Sequence, residues 1–243
     1  MPKPAAGTPI NAGHALASGL VRAWAFLEGS GTAITDSVSG TSTGTLSSSS
    51  LWSTDANGPI LANPGVQTLI SSAASLPTSA VTVVVVYRKR DTTNRASSAF
   101  GEQSATASAR MGVHLPYSDG TVYWDFGGST GGTSRLSVGG LTIGTSMSVW
   151  GFSAGAAGME IWQNGVLRAS QAGHATRTAP ANPFVIGGGN EATADVYDIA
   201  SLYVYSRQLS SSEQQSIAAD PWQMFAKPSA RRADFGRRAL LPC

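Results

Sequence analysis

Short apolar runs separated by turn residues dominate the chain, and this pattern predicts strands rather than helices. The clearest run spans residues 81–87, where an almost unbroken series of β-branched residues is typical of a strand buried on both faces. Further strands are predicted at 20–27, 147–154, 184–187 and 198–206. The stretch 37–50, rich in Ser, Thr and Gly, predicts turns and weak strands.

Two dipeptides mark tight hairpins. Asp119-Gly120 and Asn164-Gly165 each lie between two segments of strand-like pattern. Both dipeptides accept the positive φ that short hairpin turns require. The predicted hairpins pair strand 112–117 with 121–126, and strand 159–163 with 166–170.

The strand 121–126 alternates cleanly between apolar and polar positions. Val122, Trp124 and Phe126 share one face, while Tyr123 and Asp125 take the other. We therefore expect Trp124 to lie in the core.

One helix is predicted near the end of the regular pattern. Ser210 and Glu213 have the spacing of a capping box, and Pro221 disfavours helical geometry at the residue before it. The helix should thus occupy about 210–219. Many short strands followed by one short helix predict an all-β fold, a two-sheet antiparallel jelly-roll sandwich.

Composition supports this fold class and limits the functional classes. Charged residues make up 12% of the 243 residues, against roughly 25% in typical soluble proteins. Cys243 is the one cysteine, so no internal disulfide can form. Residues 1–20 contain three prolines and no continuous apolar stretch, which predicts no secretory signal. The longest apolar run falls far short of the about 20 residues that span a bilayer, so we expect no membrane partner.

Charge is distributed unevenly along three predicted regions: an arm at 1–19, the sandwich at 20–226 and a basic tail at 227–243. The tail has five basic residues and one acidic residue, a balance of +4. Arginine beside apolar side chains is typical of protein interfaces, so we expect the tail to make assembly contacts, with nucleic acid disfavoured as the partner. A solvated tail without a partner is the alternative. The predicted contact residues are Arg231, Arg232, Phe235, Arg237, Arg238 and Leu240.

Catalytic motifs are missing from the sequence. Glu160, Glu191 and Glu213 are isolated, and no Glu-x-Asp-x-x-Glu strand of the laminarinase type occurs. An acid pair assembled from distant strands remains the glycosidase alternative. The three histidines lack the spacing of a helical zinc site, which predicts surface or structural roles. The glycine-rich segment 127–140 is predicted to be a mobile loop between strands.

Aromatic side chains on outward faces could stack on sugar rings. Trp162 shares its predicted face with Glu160, a mixed face that favours exposure. Tyr123 lies opposite the core face of its strand. Trp162 and Tyr123 are therefore the candidate glycan-binding residues.

Four fragments in order resemble laminin-G-like, concanavalin A-like domains. They are the Trp-x-Phe strand with its Glu-Gly-Ser-Gly turn at 24–31, the Asn-Gly hairpin at 164–165, the strand 184–188 and the closing strand with its capped helix at 198–213. The resemblance covers roughly residues 20–219 and implies the same sandwich. It also raises calcium as a cofactor, with Asp36 and Asp195 as the candidate ligands; otherwise no cofactor is expected.

The following Pro-Trp-Gln-x-Phe at 221–225 resembles the ending of members encoded by tailed bacteriophages. Trp222 and Phe225 should dock the chain end onto the sandwich. This resemblance implies a non-enzymatic virion protein, a capsid decoration or tail component, with other virion proteins and further copies of the chain as partners. The alternatives are a module that binds host-surface glycans and, less favoured, a glycoside hydrolase.

Overall fold

The computed structural model describes residues 2–66, 68–72, 76–102, 107–179, 183–187 and 195–226, with 68 and 69 by their backbone alone. The described chain is a two-sheet antiparallel sandwich with one short helix. The elements are β1 (Leu20–Trp24), β2 (Ala33–Asp36), β3 (Thr41–Leu46), β4 (Trp52–Asp55), β5 (Gly58–Pro64), β6 (Thr68–Ser72), β7 (Val81–Lys89), β8 (Phe100–Glu102), β9 (Met111–His114), β10 (Val122–Phe126), β11 (Arg135–Val138), β12 (Ser148–Gly155), β13 (Gly158–Gln163), β14 (Val166–Gln171), β15 (Phe184–Gly187), β16 (Val196–Tyr205) and α1 (Ser211–Ala219).

The described strands form two sheets of eight. Sheet I has the order β14-β13-β12-β7-β16-β5-β4, and β1 also pairs with β16. Sheet II has the order β11-β10-β9-β8-β15-β6-β3-β2. The predicted all-β, two-sheet jelly-roll fold is therefore confirmed.

The main core lies between the sheets, and strand β7 shows how the sequence builds it. Val83 and Val85 point into this core, while Val84 and Val86 belong to a second apolar cluster on the other side of sheet I. A strand with both faces covered needs apolar residues at every position. The predicted two-sided burial of 81–87 is thus confirmed.

The second cluster lies on the outer face of sheet I, beneath α1, the arm and the closing segment, residues 220–226. Trp222 and Phe225 are buried there, as the sequence predicted. Ile10 of the arm forms a β-bridge with Phe225, and the Asn11 N–H donates to the Met224 carbonyl at 2.8 Å. The arm and the closing segment therefore cover this face together.

Helix α1 begins where its cap predicts. The Ser210 hydroxyl accepts from the Glu213 N–H, and the Glu213 carboxylate accepts from the Ser210 N–H. The helix packs closely on sheet I because Gly151 lies beneath it; a Cβ there would clash with the Gln214 side chain. The capping box thus fixes where α1 begins, and the close approach at Gly151 seats it on the outer face of sheet I.

The hairpin turns differ from each other. Asn164 and Gly165 both have positive φ, 52° and 75°, as predicted for a tight two-residue turn. At the other turn Gly120 adopts positive φ, 80°, without Asp119. The Asp119 side chain instead accepts from the Thr121 N–H at 2.8 Å, and backbone hydrogen bonds join Tyr117 to Gly120 and Thr121.

The first strand ends earlier than the pattern suggested. Trp24 and Phe26 both enter the main core, as expected. However, β1 stops at Trp24, and Phe26 has a left-handed backbone with φ 50°.

Within the described part of the chain, no helix is long and apolar enough to cross a membrane.

Candidate functional site

The outer face of sheet II carries the polar side chains that alternate with core residues. On β10 Trp124 enters the core, so Tyr123 and Asp125 lie on the outer face. Backbone pairing places His114 of β9 opposite Tyr123, and Arg135 of β11 opposite Asp125. Three neighbouring strands thereby gather charged and aromatic groups in one place.

Asp125 anchors this group of side chains. Its side chain is 0% exposed and accepts from the Arg110 Nε at 2.7 Å. On its other side, Arg135 donates through Nε at 2.5 Å and through Nη2 at 2.7 Å. Two guanidinium groups are thus oriented by one buried carboxylate, an arrangement of charge-assisted hydrogen bonds.

His114 completes the support of Arg110. Its Nε2 lies 3.1 Å from the Arg110 Nη2, and its Nδ1 lies 2.9 Å from the Ser97 carbonyl oxygen. Because arginine only donates and a carbonyl only accepts, Nε2 is the acceptor and Nδ1–H the donor in these two contacts. Arg110, His114 and Arg135 also take part in further interactions with their surroundings.

Three aromatic rings pack edge to face beside the guanidinium groups. The Tyr117 ring lies 4.9 Å from His114 and 6.1 Å from Tyr123, measured between ring centroids. The Arg135 guanidinium lies 4.6 Å from the centroid of the Tyr123 ring, a cation–π contact. The rings and the arginines therefore hold each other in fixed orientations.

Asp119, at the hairpin turn, reaches the same site from its rim. The Tyr123 hydroxyl donates to Asp119 Oδ2 at 2.7 Å. This bond holds the pKa of the Asp119 carboxyl below its usual range and raises the pKa of the Tyr123 phenol. Tyr123 is thereby fixed as a neutral ring at the edge of the site.

These side chains line a cleft of about 130 Å³, which we call the arginine cleft. The side chains of Arg110 and Arg135 are 22% and 25% exposed, so both guanidinium groups reach its surface. Pockets for whole drug-sized ligands measure about 300–1,000 Å³. The cleft therefore suits one polar substituent of a larger ligand. Its lining residues are Arg110, His114, Tyr117, Tyr123 and Arg135.

The structure places the two candidate glycan-binding residues differently. Tyr123 lies in the arginine cleft. The expected exposure of Trp162 is wrong, because the residue is only 5% exposed. Its indole Nε1 donates to Glu160 Oε2 at 3.0 Å, and the Ser153 hydroxyl donates to the same oxygen. The mixed face is thus a hydrogen-bonded cluster rather than a stacking platform.

The candidate calcium ligands do not fit a cation site. The Asp195 carboxylate accepts from Lys89 Nζ and Arg95 Nη1, and these two positive charges oppose a metal ion. The Asp36 carboxylate accepts from the Ala23 N–H and the Val38 N–H. Within the described ranges, no group of three or more His, Cys, Asp or Glu residues could hold a metal. The carboxylates of Asp36 and Asp195 are thus both engaged in hydrogen bonds within the sandwich.

Several other predicted features have clear positions. The segment 127–140 is not one loop, because residues 135–138 form strand β11. His114 is buried and structural, and Glu213 forms an ion pair with Arg207. Glu191 and the tail lie outside the described residues. The tail includes all the predicted assembly contacts: Arg231, Arg232, Phe235, Arg237, Arg238 and Leu240.

Comparison with known proteins gives a fold but no family. No protein-family model matches the chain, and no curated protein matches it. Trypanosoma rangeli sialidase matches with a TM-score of 0.63 and 14% identity in one of its complexes, over 86% of this chain and 34% of that protein. The receptor-binding domain of botulinum neurotoxin type G matches with a TM-score of 0.58 and 11% identity, over 83% of this chain and 51% of that one.

The binding domain of Paraclostridial Mosquitocidal Protein 1 also matches, with a TM-score of 0.61 and 14% identity, over 82% of this chain and 52% of that one. The chain thus spans about a third of the sialidase and about half of the two toxin chains. At these identities the likeness shows the fold alone. The chain therefore has a two-sheet β-sandwich fold similar to parts of these proteins.

Proposed function

We propose that this chain is a non-enzymatic, carbohydrate-binding module of a tailed-bacteriophage virion. The observation that carries the binding role is the arginine cleft, which places aromatic rings beside charged side chains on an outer sheet face. Sugars are bound in proteins by stacking of their apolar face and by hydrogen bonds to their polar groups. Tyr117 and Tyr123 supply the rings, and Arg110 and Arg135 line the same cleft.

Two of the structural neighbours support a binding role, since one is a receptor-binding domain and the other a binding domain. The virion setting is supported by the resemblance of residues 221–225 to phage-encoded members. A protein displayed on a virion that binds a surface glycan would attach the particle to its host.

The absence of catalysis is part of the proposal. Glycosidases generally use two carboxyl groups that flank the scissile bond, one of them as a proton donor. Beside the arginine cleft, the buried Asp125 carboxylate is held by two guanidinium groups. A carboxylate bound in this way is poorly placed to transfer a proton. Glu160 is likewise engaged by Ser153 and Trp162.

The test is a set of immobilised bacterial surface polysaccharides, screened for both binding and hydrolysis. We expect the chain to bind at least one of them and to release no reducing ends. Tyr123→Ala should abolish binding, while Trp52→Phe, a change in sheet I, should leave it intact. Binding that survives Tyr123→Ala would move the site elsewhere. Turnover that disappears in Glu160→Gln or Glu191→Gln would make the protein a hydrolase.

A second candidate is an architectural role in the particle, in which the chain binds other virion proteins and no glycan. The observation that favours it is the joint packing of the arm and the closing segment on sheet I, which brings both to one face. Purified virions, treated with a crosslinker and analysed by mass spectrometry, would identify the partners. Crosslinks from the arm and the tail to a capsid or tail protein, with no glycan bound, would favour this role.

A further inference from the structure

Two Asn-Gly pairs stand at hairpin turns of sheet I, and the structure holds them differently. Asn57-Gly58 lies between β4 and β5, and Asn164-Gly165 lies between β13 and β14. The Asn164 Oδ1 accepts from the Val149 N–H at 2.9 Å, and α1 lies close against Gly165. The second turn is therefore tied to β12 by its asparagine side chain and packed against the helix.

Asn57 is held through its backbone. Its side chain is exposed, and the hydrogen bonds found for Asn57 among the described residues use main-chain atoms. Its N–H donates to Asp55 Oδ1 at 2.7 Å, and its carbonyl oxygen accepts from the Lys3 N–H at 2.9 Å. An exposed side chain without such contacts changes rotamer rapidly. The Asn57 side-chain amide can thus turn towards the backbone nitrogen of Gly58.

An asparagine followed by glycine favours deamidation, because glycine has no Cβ to obstruct the approach to its nitrogen. The Gly58 nitrogen attacks the side-chain carbonyl carbon, Cγ, of Asn57. A nitrogen–carbon bond forms, and the side-chain amino group leaves as ammonia with the proton of the Gly58 N–H. Water then opens the succinimide ring. Attack at Cγ leaves aspartate, and attack at the main-chain carbonyl leaves isoaspartate, so the reaction consumes water alone.

We infer that Asn57 is a site of spontaneous deamidation, and that its conversion to isoaspartate loosens the start of the arm. In isoaspartate the main chain runs through Cβ and Cγ and is longer by one carbon. The former main-chain carbonyl becomes a free carboxylate. Both the acceptor for the Lys3 N–H and the pairing of Asp55 with Gly58 across the turn are then altered.

Lys3 is the part of the arm that depends on this turn. Its side chain lies along Gly58, where a Cβ would come within 3.5 Å of it, and its Nζ donates to the Pro59 carbonyl. The same ammonium group lies over the Trp222 ring. A shifted turn disturbs these contacts together, and the two carbonyls at the end of β1 are then the remaining acceptors of Lys3.

The aspartate product should behave differently from isoaspartate. It keeps the length of the main chain and the carbonyl that accepts from Lys3. Asn57→Asp reproduces this product and should therefore leave the arm docked. The two products separate the effect of the added charge from the effect of the longer main chain.

The test begins with prolonged incubation of the full chain at mildly alkaline pH, followed by peptide mass spectrometry that separates asparagine, aspartate and isoaspartate. In the folded protein, Asn57 should convert at least about fivefold faster than Asn164, a factor that one hydrogen bond provides. In denaturant the two rates should converge, because the structure no longer distinguishes the turns. Asn57→Gln keeps an amide but must close a larger ring, so it should not convert.

Hydrogen exchange at the Lys3 amide reports the state of the arm. The isoaspartate form, separated by chromatography, should exchange at least about tenfold faster at this amide than the fresh protein, because the hydrogen bond to the turn is lost. Asn57→Asp and incubated Asn57→Gln should exchange like the fresh protein.

Each contrary result overturns a stated part of the inference. Conversion of Asn164 as fast as that of Asn57 in the folded protein, or no conversion at Asn57, overturns the modification site. Isoaspartate at position 57 with unchanged exchange at Lys3 overturns the loosening of the arm. These results do not depend on any ligand of the arginine cleft.

Discussion

Lys3 and Trp222 link the arm to the closing segment: the Lys3 Nζ lies 5.2 Å from the centroid of the Trp222 ring. The same ammonium group donates to the carbonyls of Ala25, Phe26 and Pro59. Burial is the main influence on this group and lowers its pKa from 10.5 to about 7. One side chain thus connects the arm, the end of β1 and β5.

The Lys3 contact predicts a pH dependence of stability. The unfolded chain binds more protons than the folded chain between the two pKa values, about 7 and 10.5, so the free energy of unfolding should rise with pH across this range. The contribution of Lys3 to the free energy of unfolding is complete above pH 10.5 and is lost as the pH falls through about 7. Chemical denaturation at several pH values, compared with Lys3→Met, isolates the effect. A constant difference between the two proteins would contradict it.

The ion pair between Arg207 and Glu213 predicts a titration in the acid range. The hydrogen bonds that Arg207 donates to the Glu213 carboxylate lower the pKa of this carboxyl from 4.5 to about 2. The contribution of this ion pair to the free energy of unfolding is present above pH 4.5 and is lost as the pH falls towards 2. Because the pair is partly exposed and also caps α1, Glu213→Gln should cost about 1 kcal/mol at neutral pH. Equal acid sensitivity of the variant and the wild-type protein would show that the pair contributes nothing.

The burial of Trp124 leads to a prediction about the stability of the core. Its ring is fully buried, packs at 6.0 Å from both Phe126 and Phe152, and donates to the Ser153 carbonyl across the sandwich. Trp124→Ala should lower the free energy of unfolding by about 3–5 kcal/mol. Val166→Ala, at an exposed position, should change it by less than about 0.5 kcal/mol. Equal effects in urea titrations would refute the assigned core.

The tail supplies a prediction about assembly. Deleting residues 227–243 should leave the sandwich folded, because the described strands and α1 all lie before them. The deletion should also abolish incorporation into particles, since the arginine and apolar residues of the tail are the predicted contacts. Circular dichroism and quantification of the protein in purified virions measure the two effects. Full occupancy of the truncated protein would place the attachment on the sandwich or the arm.

Local patterns predicted much of the fold because each signal acts within a few residues. The apolar run of β7, the Asn164-Gly165 turn and the Ser210 capping box all depend on neighbouring residues, and each lies where the pattern placed it. The end of β1 was not predicted, because the neighbouring residues gave no signal for the left-handed backbone of Phe26.

The site was harder to predict because it depends on pairing between strands. Alternation in β10 already put Tyr123 and Asp125 on the outer face, which was the one available signal. Arg135 was missed because the glycine-rich residues around it resemble a loop. Arg110 was missed because it precedes β9 rather than lying within it. Trp162 was misplaced because hydrogen bonding by Glu160 allows a mixed face to be buried.

The positions of the arm and the closing segment also determine how the sandwich would be oriented relative to a carrier. Both pack on the outer side of sheet I, whereas the arginine cleft opens on the outer side of sheet II. A carrier joined through the arm or the closing segment would lie behind the sandwich, with the cleft pointing away from it. The two covering segments and the arginine cleft therefore lie on opposite sides of the sandwich. Exchanging the carrier should leave ligand access unchanged.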